Sequence, residues 1–244
     1  MPRILGAGQR CEVWVASART GERQLALTTD DLLLEAPNWT RDGRALVLNG
    51  DGRLWTLDLA DTQLEGVPLA GLPALNNDHV LASDGEHIHV SADDGQIYRA
   101  PLRGGTATRI TDDDGWSHFL HGASPDGATL AYVGIEAGDF ARPGRLMTMP
   151  AAGGPRTFVD TGAGHVDGPE FSPDGRLATY VRFPAGTLGH PADRDVEVVV
   201  VSTGDWTTPV HTFALFGGQG TLNVNSWAPD SDRFAYVAYP ISPR

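Results

Sequence analysis

The sequence predicts an all-β chain: a five-bladed β-propeller of four-stranded antiparallel blades, read as a single domain over residues 1–244. Three observations carry this reading. One turn motif recurs five times along the chain. No stretch sustains the 3.6-residue apolar period of a helix. The two ends hold complementary fractions of one repeat.

The motif is Thr40-Arg41-Asp42-Gly43, Ser124-Pro125-Asp126-Gly127, Ser172-Pro173-Asp174-Gly175 and Ala228-Pro229-Asp230-Ser231, with Ala82-Ser83-Asp84-Gly85 as a worn copy. Its aspartates are spaced by 42, 42, 48 and 56 residues. Pro fixes φ, Asp bonds its own backbone and Gly takes positive φ, so each copy reads as a tight reversal. A short apolar stretch precedes the turn, as in Pro37-Asn38-Trp39 or Asn225-Ser226-Trp227. A β-rich run follows it, as in residues 45–48, 129–133 and 234–237. A second turn (Asp51-Gly52, Asp94-Gly95) leads to a third strand, and a small-residue turn such as Arg103-Gly104-Gly105 leads to a fourth. Four strands in 40-odd residues is the period of a propeller blade. The N-terminus supplies two strands without a preceding motif, residues 12–16 and 24–27, and the last motif is followed by one strand only. A blade shared between the termini completes the ring and hides its edges.

Composition narrows the function. The chain carries 31 acidic and 18 basic residues, a net charge of −13, which opposes binding to nucleic acid or anionic membranes. All 18 basic residues are Arg, which excludes Schiff-base lysine chemistry and a Walker A loop. The single cysteine, Cys11, cannot form an intrachain disulfide. Neither a signal-peptide core nor a membrane-length apolar run is seen, so a cytoplasmic location is expected.

The Ser-Pro-Asp-Gly turn followed by a strand resembles the WD40-like repeat of TolB-type propellers. Residues 76–79, 121–127, 167–170, 189–193 and 216–221 are similar to small single-domain TolB-like proteins of bacteria. Such relatives imply six blades; the interval of 56 residues between Asp174 and Asp230 is too short for two, so one is expected to be missing. The extra N-terminal domain of TolB itself has no counterpart, so its envelope role is not carried over. Oligogalacturonate lyases, also TolB-like propellers, hold a metal with channel histidines, which implies one use for such a ring.

Residues at fixed offsets before the turn aspartates should stand at equivalent heights around a channel. Five before are Pro37, His79, His121, Pro169 and Asn225; seven before are Glu35, Asn77, Phe119, Asp167 and Asn223; Asn38, Glu170 and Ser226 stand four before. Packing alone would favour apolar residues there, so the polar set is the candidate site. His79, His121, Asp167 and Glu170 are the expected acid–base groups. His79, His121 and Asp167 would suit one divalent metal (Zn, Mn or Fe). Glu35, Asn38, Asn77, His190, Gln219, Asn223 and Asn225 would contact a small polar, sugar-like ligand. The reading favours an enzyme of lyase, hydrolase or isomerase type; the alternatives are a binding propeller for a ligand or a protein partner, and a merely hydrated channel. His87 and His89 are expected to face solvent, and Asp112-Asp113-Asp114 to be a solvated turn.

Overall fold

Alternating β-rich runs and Gly- or Asp-bearing turns become twenty-one strands among the described residues of a computed structural model. It describes residues 4–124, 126–136, 145–158, 170–184, 187, 191–202, 205–222 and 226–241; the side chains of His121, Val133, Arg145, Leu146, Trp206 and Thr207 stand outside that description. In chain order the strands are β1 (Cys11–Ser17), β2 (Arg23–Thr29), β3 (Leu34–Trp39), β4 (Ala45–Gly50), β5 (Arg53–Asp58) and β6 (Leu64–Gly66). Then follow β7 (Leu69–Ala70), β8 (Leu75–Leu81), β9 (His87–Ala92), β10 (Ile97–Pro101), β11 (Gly105–Thr106) and β12 (Thr108–Arg109). Next come β13 (Trp116–Ala123), β14 (Thr129–Glu136), β15 (Arg145–Pro150) and β16 (Thr157–Phe158). The last are β17 (Glu170–Phe171), β18 (Leu177–Arg182), β19 (Ala192–Ser202), β20 (Asp205–Gly218) and β21 (Arg233–Ala238).

Five antiparallel sheets make the chain a five-bladed β-propeller: β3-β4-β5-β6, β8-β9-β10-β12, β13-β14-β15-β16, β17-β18-β19-β20, and β21-β1-β2. They fall into two compact units. One comprises Gly66–Gly168 with Met1–Pro2 and holds the second and third blades; the other comprises Arg3–Glu65 and Pro169–Arg244 and holds the first, fourth and fifth. The sequence gives no hint of one feature, a parallel ribbon in which β11 pairs with β7.

The repeated turn has the same chemistry in blade after blade. Asp174 Oδ1 accepts from the Ser172 hydroxyl at 2.7 Å and from the Arg176 amide at 3.1 Å. Asp42 does the same with Thr40 and Arg44, and Asp126 with Ser124 and Ala128. These bonds hold all three carboxyls below the usual aspartate range. The hydroxyl also spans the turn: Leu177 N donates to Ser172 Oγ at 3.0 Å, as Ala45 N and Thr129 N donate to Thr40 and Ser124. Ser172 is buried, so Ser172→Ala strands the Leu177 amide and is expected to cost about 2 kcal/mol, read as a lower urea midpoint at unchanged m-value.

The fifth blade joins distant parts of the chain, as expected. β1 pairs with β21 from Glu12↔Ala238 to Ser17↔Arg233, and β2 lies outside β1. Its innermost strand shrinks to the Trp227↔Phe234 bridge and the bond from Ala235 N to Ser226 O. An apolar cluster packs each side of this blade. Cys11, Val13, Ala235 and Val237 join Leu34, Leu46, Leu48 and Leu57 of the first blade. Ala16, Phe234 and Tyr236 join Val198, Val200 and Phe213 of the fourth.

Candidate functional site

Register decides which sequence offsets are equivalent in space. Four residues before each turn aspartate stand Asn38, Val80, Gly122, Glu170 and Ser226. The first four pair across the inner hairpin with Val47, His89, Ala131 and Thr179. Ser226 accepts from Ala235 in the same register. This level is therefore common to all five blades. Above it the inner strands bulge. β3 carries one extra residue between Glu35↔Asn49 and Asn38↔Val47, β8 carries two between Leu75↔Ala92 and His79↔Val90, and β13 carries one, His121, between Leu120 and Gly122. Bulges re-aim side chains and gather beside functional sites.

In the unit of the first, fourth and fifth blades, the bulge holds Ala36 buried at a φ of +55°, a left-handed conformation unusual for a residue with a Cβ. Its amide donates to Gly220 O at 2.9 Å. Gly220 itself lies at φ +85°, and a methyl group there would overlap the Glu35 carboxyl; glycine lets the 217–221 turn close on that side chain. Glu35 and Asn38 are both buried, whereas Gln219 at the tip of the same turn is exposed. Glu170 has the most unusual environment. Its Oε2 accepts from both the Ser226 amide and the Ser226 hydroxyl, the equivalent residue of the next blade. Its Oε1 is buried and bonds to nothing among the described residues. Burial raises this carboxyl to about 7 against the pull of the two Ser226 bonds, so near neutral pH it is divided between its protonated and ionised forms.

In the other unit, His79 is 1% exposed, and Asn77 is half-buried inside the β8 bulge. His79 and Glu170 thus belong to different units and are described separately. Asp167, His190, Asn223 and Asn225 lie outside the described residues, as does the side chain of His121. Among the described residues no group of three His, Cys, Asp or Glu side chains is placed to hold a metal ion. A metal on His79, His121 and Asp167 therefore rests on positions outside the description.

His89 corrects an expectation. It is 3% exposed rather than solvent-facing, and its Nε2 lies 3.1 Å from Ala151 O of the third blade. Its neighbours Ile88 and Val90 are fully buried too, so both faces of β9 are covered at this height. His87 is half-buried and bonds Asp84 at 2.9 Å. Two concavities were not signalled by the repeat. One, of about 750 Å³, is lined by Arg182, Phe183, Asp195, Glu197 and Phe216 among others. The other, of about 360 Å³, is lined by His118, Tyr132, Asp114 and Arg156 among others. Neither is lined by a residue of the candidate set.

No family model matches the chain. Among curated proteins it is similar to an uncharacterized protein of Agrobacterium fabrum, 31% identical, with 96% of this chain and 94% of that protein covered. A solved structure from Agrobacterium tumefaciens, described as a TolB, superposes with a TM-score of 0.82 at 30% identity, covering 97% of this chain and 99% of that one. A chain of a nidogen/laminin complex superposes with a TM-score of 0.52 at 11% identity over 87% of this chain and 80% of that one, a likeness of fold alone.

Proposed function

The chain belongs to the TolB-like β-propeller family of its Agrobacterium relatives, and from that premise we propose that it binds a small, polar, sugar-like molecule on its inner strands, with Glu170 as the proton-exchanging group. One observation carries this reading. A carboxyl is buried with one oxygen held by Ser226 and the other bonded to no described residue, and burial raises it to about 7, so a large share of it is protonated near neutral pH. A neutral carboxylic acid donates a hydrogen bond through one oxygen and accepts through the other, which suits a hydroxyl or ring oxygen of a ligand. A group poised near 7 also exchanges protons at little cost in either direction. Burying such a group without a full set of partners opposes folding, the trade expected of a functional residue.

Glu35 and Asn38, set by the β3 bulge, are the polar neighbours of this level in the same unit. Ser226 holds the Glu170 carboxyl in one orientation. A divalent metal held by His79, His121 and Asp167 would supply Lewis-acid chemistry within the other unit, and the residue roles above do not depend on it.

The test is a thermal-shift panel of glucose, gluconate, galacturonate and trigalacturonate at pH 6 and pH 8. At least one is expected to raise the melting temperature of the wild type and not that of Glu170→Gln, because only ligands that prefer the folded state stabilise it. No response to any of the four removes the sugar-like ligand. A shift that survives Glu170→Gln removes Glu170 from the site.

A further inference from the structure

The concavity of about 360 Å³ on the third blade contains two polar groups that the fold does not satisfy. His118 is 1% exposed. Its Nδ1 lies 2.9 Å from Gly95 O, which fixes the proton on Nδ1 and leaves Nε2 as an acceptor. Nε2 has no hydrogen bond; it faces Asp114 Oδ1 at 3.6 Å, acceptor against acceptor. Tyr132 is also 1% exposed and packs edge-on to His118 with ring centroids 5.3 Å apart. Its hydroxyl has no hydrogen-bond partner among the described residues. Both side chains line the concavity.

The surrounding charge has one sign in excess. Asp112 and Asp114 supply two carboxylates, and Arg156 supplies one guanidinium, paired with Asp114 and seated over Trp116 and Phe158 at 5.4 and 5.5 Å. Burial holds His118 below the usual histidine range, so it adds no cation at neutral pH. One negative charge is left over.

We propose that this concavity binds a small organic molecule through a primary ammonium group. Its N–H bonds would bridge His118 Nε2 and Asp114 Oδ1, which stand too far apart to bond each other and close enough to share one donor nitrogen. A third N–H, or a neighbouring hydroxyl, would reach the Tyr132 oxygen. An ammonium nitrogen carries three donors for these three acceptors, and the ligand's charge cancels the excess carboxylate. The volume lies at the small end of ligand sites, which sets the ligand at the size of an amino alcohol or a small amine. This site shares no residue with the Glu170 site, so the two readings fail independently.

The experiment uses protein labelled with ¹⁵N-histidine, titrated with ethanolamine, its neutral isostere ethylene glycol, and zinc chloride. Ethanolamine is expected to shift the His118 Nε2 resonance saturably, and ethylene glycol to leave it in place. Asp114→Asn should weaken the ethanolamine response about tenfold, because the amide oxygen still accepts but no longer carries the charge that strengthens a bond to an ammonium group. Tyr132→Phe and Asp112→Asn should weaken it less; neither variant removes a hydrogen bond that the described fold uses. An equal response to ethylene glycol overturns the proposal, as does a His118 response confined to zinc. An unmoved His118 at saturating ethanolamine in folded wild type overturns it as well.

Discussion

Deleting residues 1–29 is expected to abolish cooperative unfolding altogether. The cut removes β1 and β2, so the ladder from Glu12↔Ala238 to Ser17↔Arg233 loses every partner of β21 on that side. It also takes Cys11, Val13, Ala16 and Ala18, each at most 1% exposed, out of two separate apolar clusters. The Leu34 amide and carbonyl lose Cys11 Sγ, which contacts them at 3.4 and 3.5 Å. Phe234, Tyr236 and Val237, fully buried in the native fold, would face water on one side. A domain's net stability is only roughly 5–15 kcal/mol, and fully burying a single Val or Phe is worth about 1.5–3 kcal/mol. The loss therefore exceeds what the remaining blades can absorb. Calorimetry of the truncated chain should show no endotherm. A sharp transition near that of the full chain would mean that the fifth blade is an ornament rather than a clasp.

Glu170→Gln should make the protein more stable above pH 7 and remove one part of its pH dependence. In the folded protein Glu170 holds its proton up to about 7, whereas an unfolded glutamate loses it near 4.5. The folded state therefore binds more protons between those values, and stability falls as pH rises from about 4.5 to 7, then levels off. At 1.36 kcal/mol per pH unit the span amounts to roughly 3 kcal/mol. Glutamine cannot titrate, and its amide oxygen can still accept from Ser226. His89 and His118 work in the opposite sense. Burial lowers both, so their contribution is present above 6.5 and lost as pH falls below it. The difference between variant and wild type cancels the histidines, so denaturation midpoints of the two proteins at pH 5, 7 and 8 isolate Glu170. A constant difference across that range would show Glu170 to be ionised throughout.

The turn motifs were the legible part of the sequence. Each aspartate marks where one hairpin reverses, and hydroxyl, carboxylate and glycine are chemically bound to that geometry. Blade number and the shared fifth blade followed from counting them. The offset of four residues was equally readable, since nothing intervenes between turn and ladder. The offset of seven was not. Glu35 and Phe119 both pair with residues seven beyond their turn aspartates, but Asn77 falls within the larger bulge of β8, where the register shifts. Sequence distance counts residues, whereas height on a strand counts hydrogen-bonded pairs, and a bulge separates the two. His89 was misread for a related reason. Its alternation with His87 and Ile88 suggested a wet face, but Ile88, His89 and Val90 are all buried, so β9 has no wet face at that level. Glu170 could be named from its position, but not its half-satisfied burial, which depends on Ser226 in another blade. The His118–Tyr132 concavity left no periodic trace, because it arises from four strands, a linker and a turn meeting once.

The bulges also set what insertions and deletions do in this chain. A strand's side chains have parity: odd and even positions face opposite neighbours. One extra residue in β3 and one in β13 invert that parity above the common level, while the two in β8 restore it. Loss of a single codon at Pro37 would therefore not simply shorten the first blade. It would turn Leu34 and Glu35 over, driving a carboxylate into the apolar cluster that Leu34 now fills and placing a leucine against Gly220. Loss of two residues from the β8 bulge would keep every facing and delete only the polar side chains it carries. Loss of one residue is thus a fold-level lesion in the first blade, whereas loss of two is a local trimming in the second.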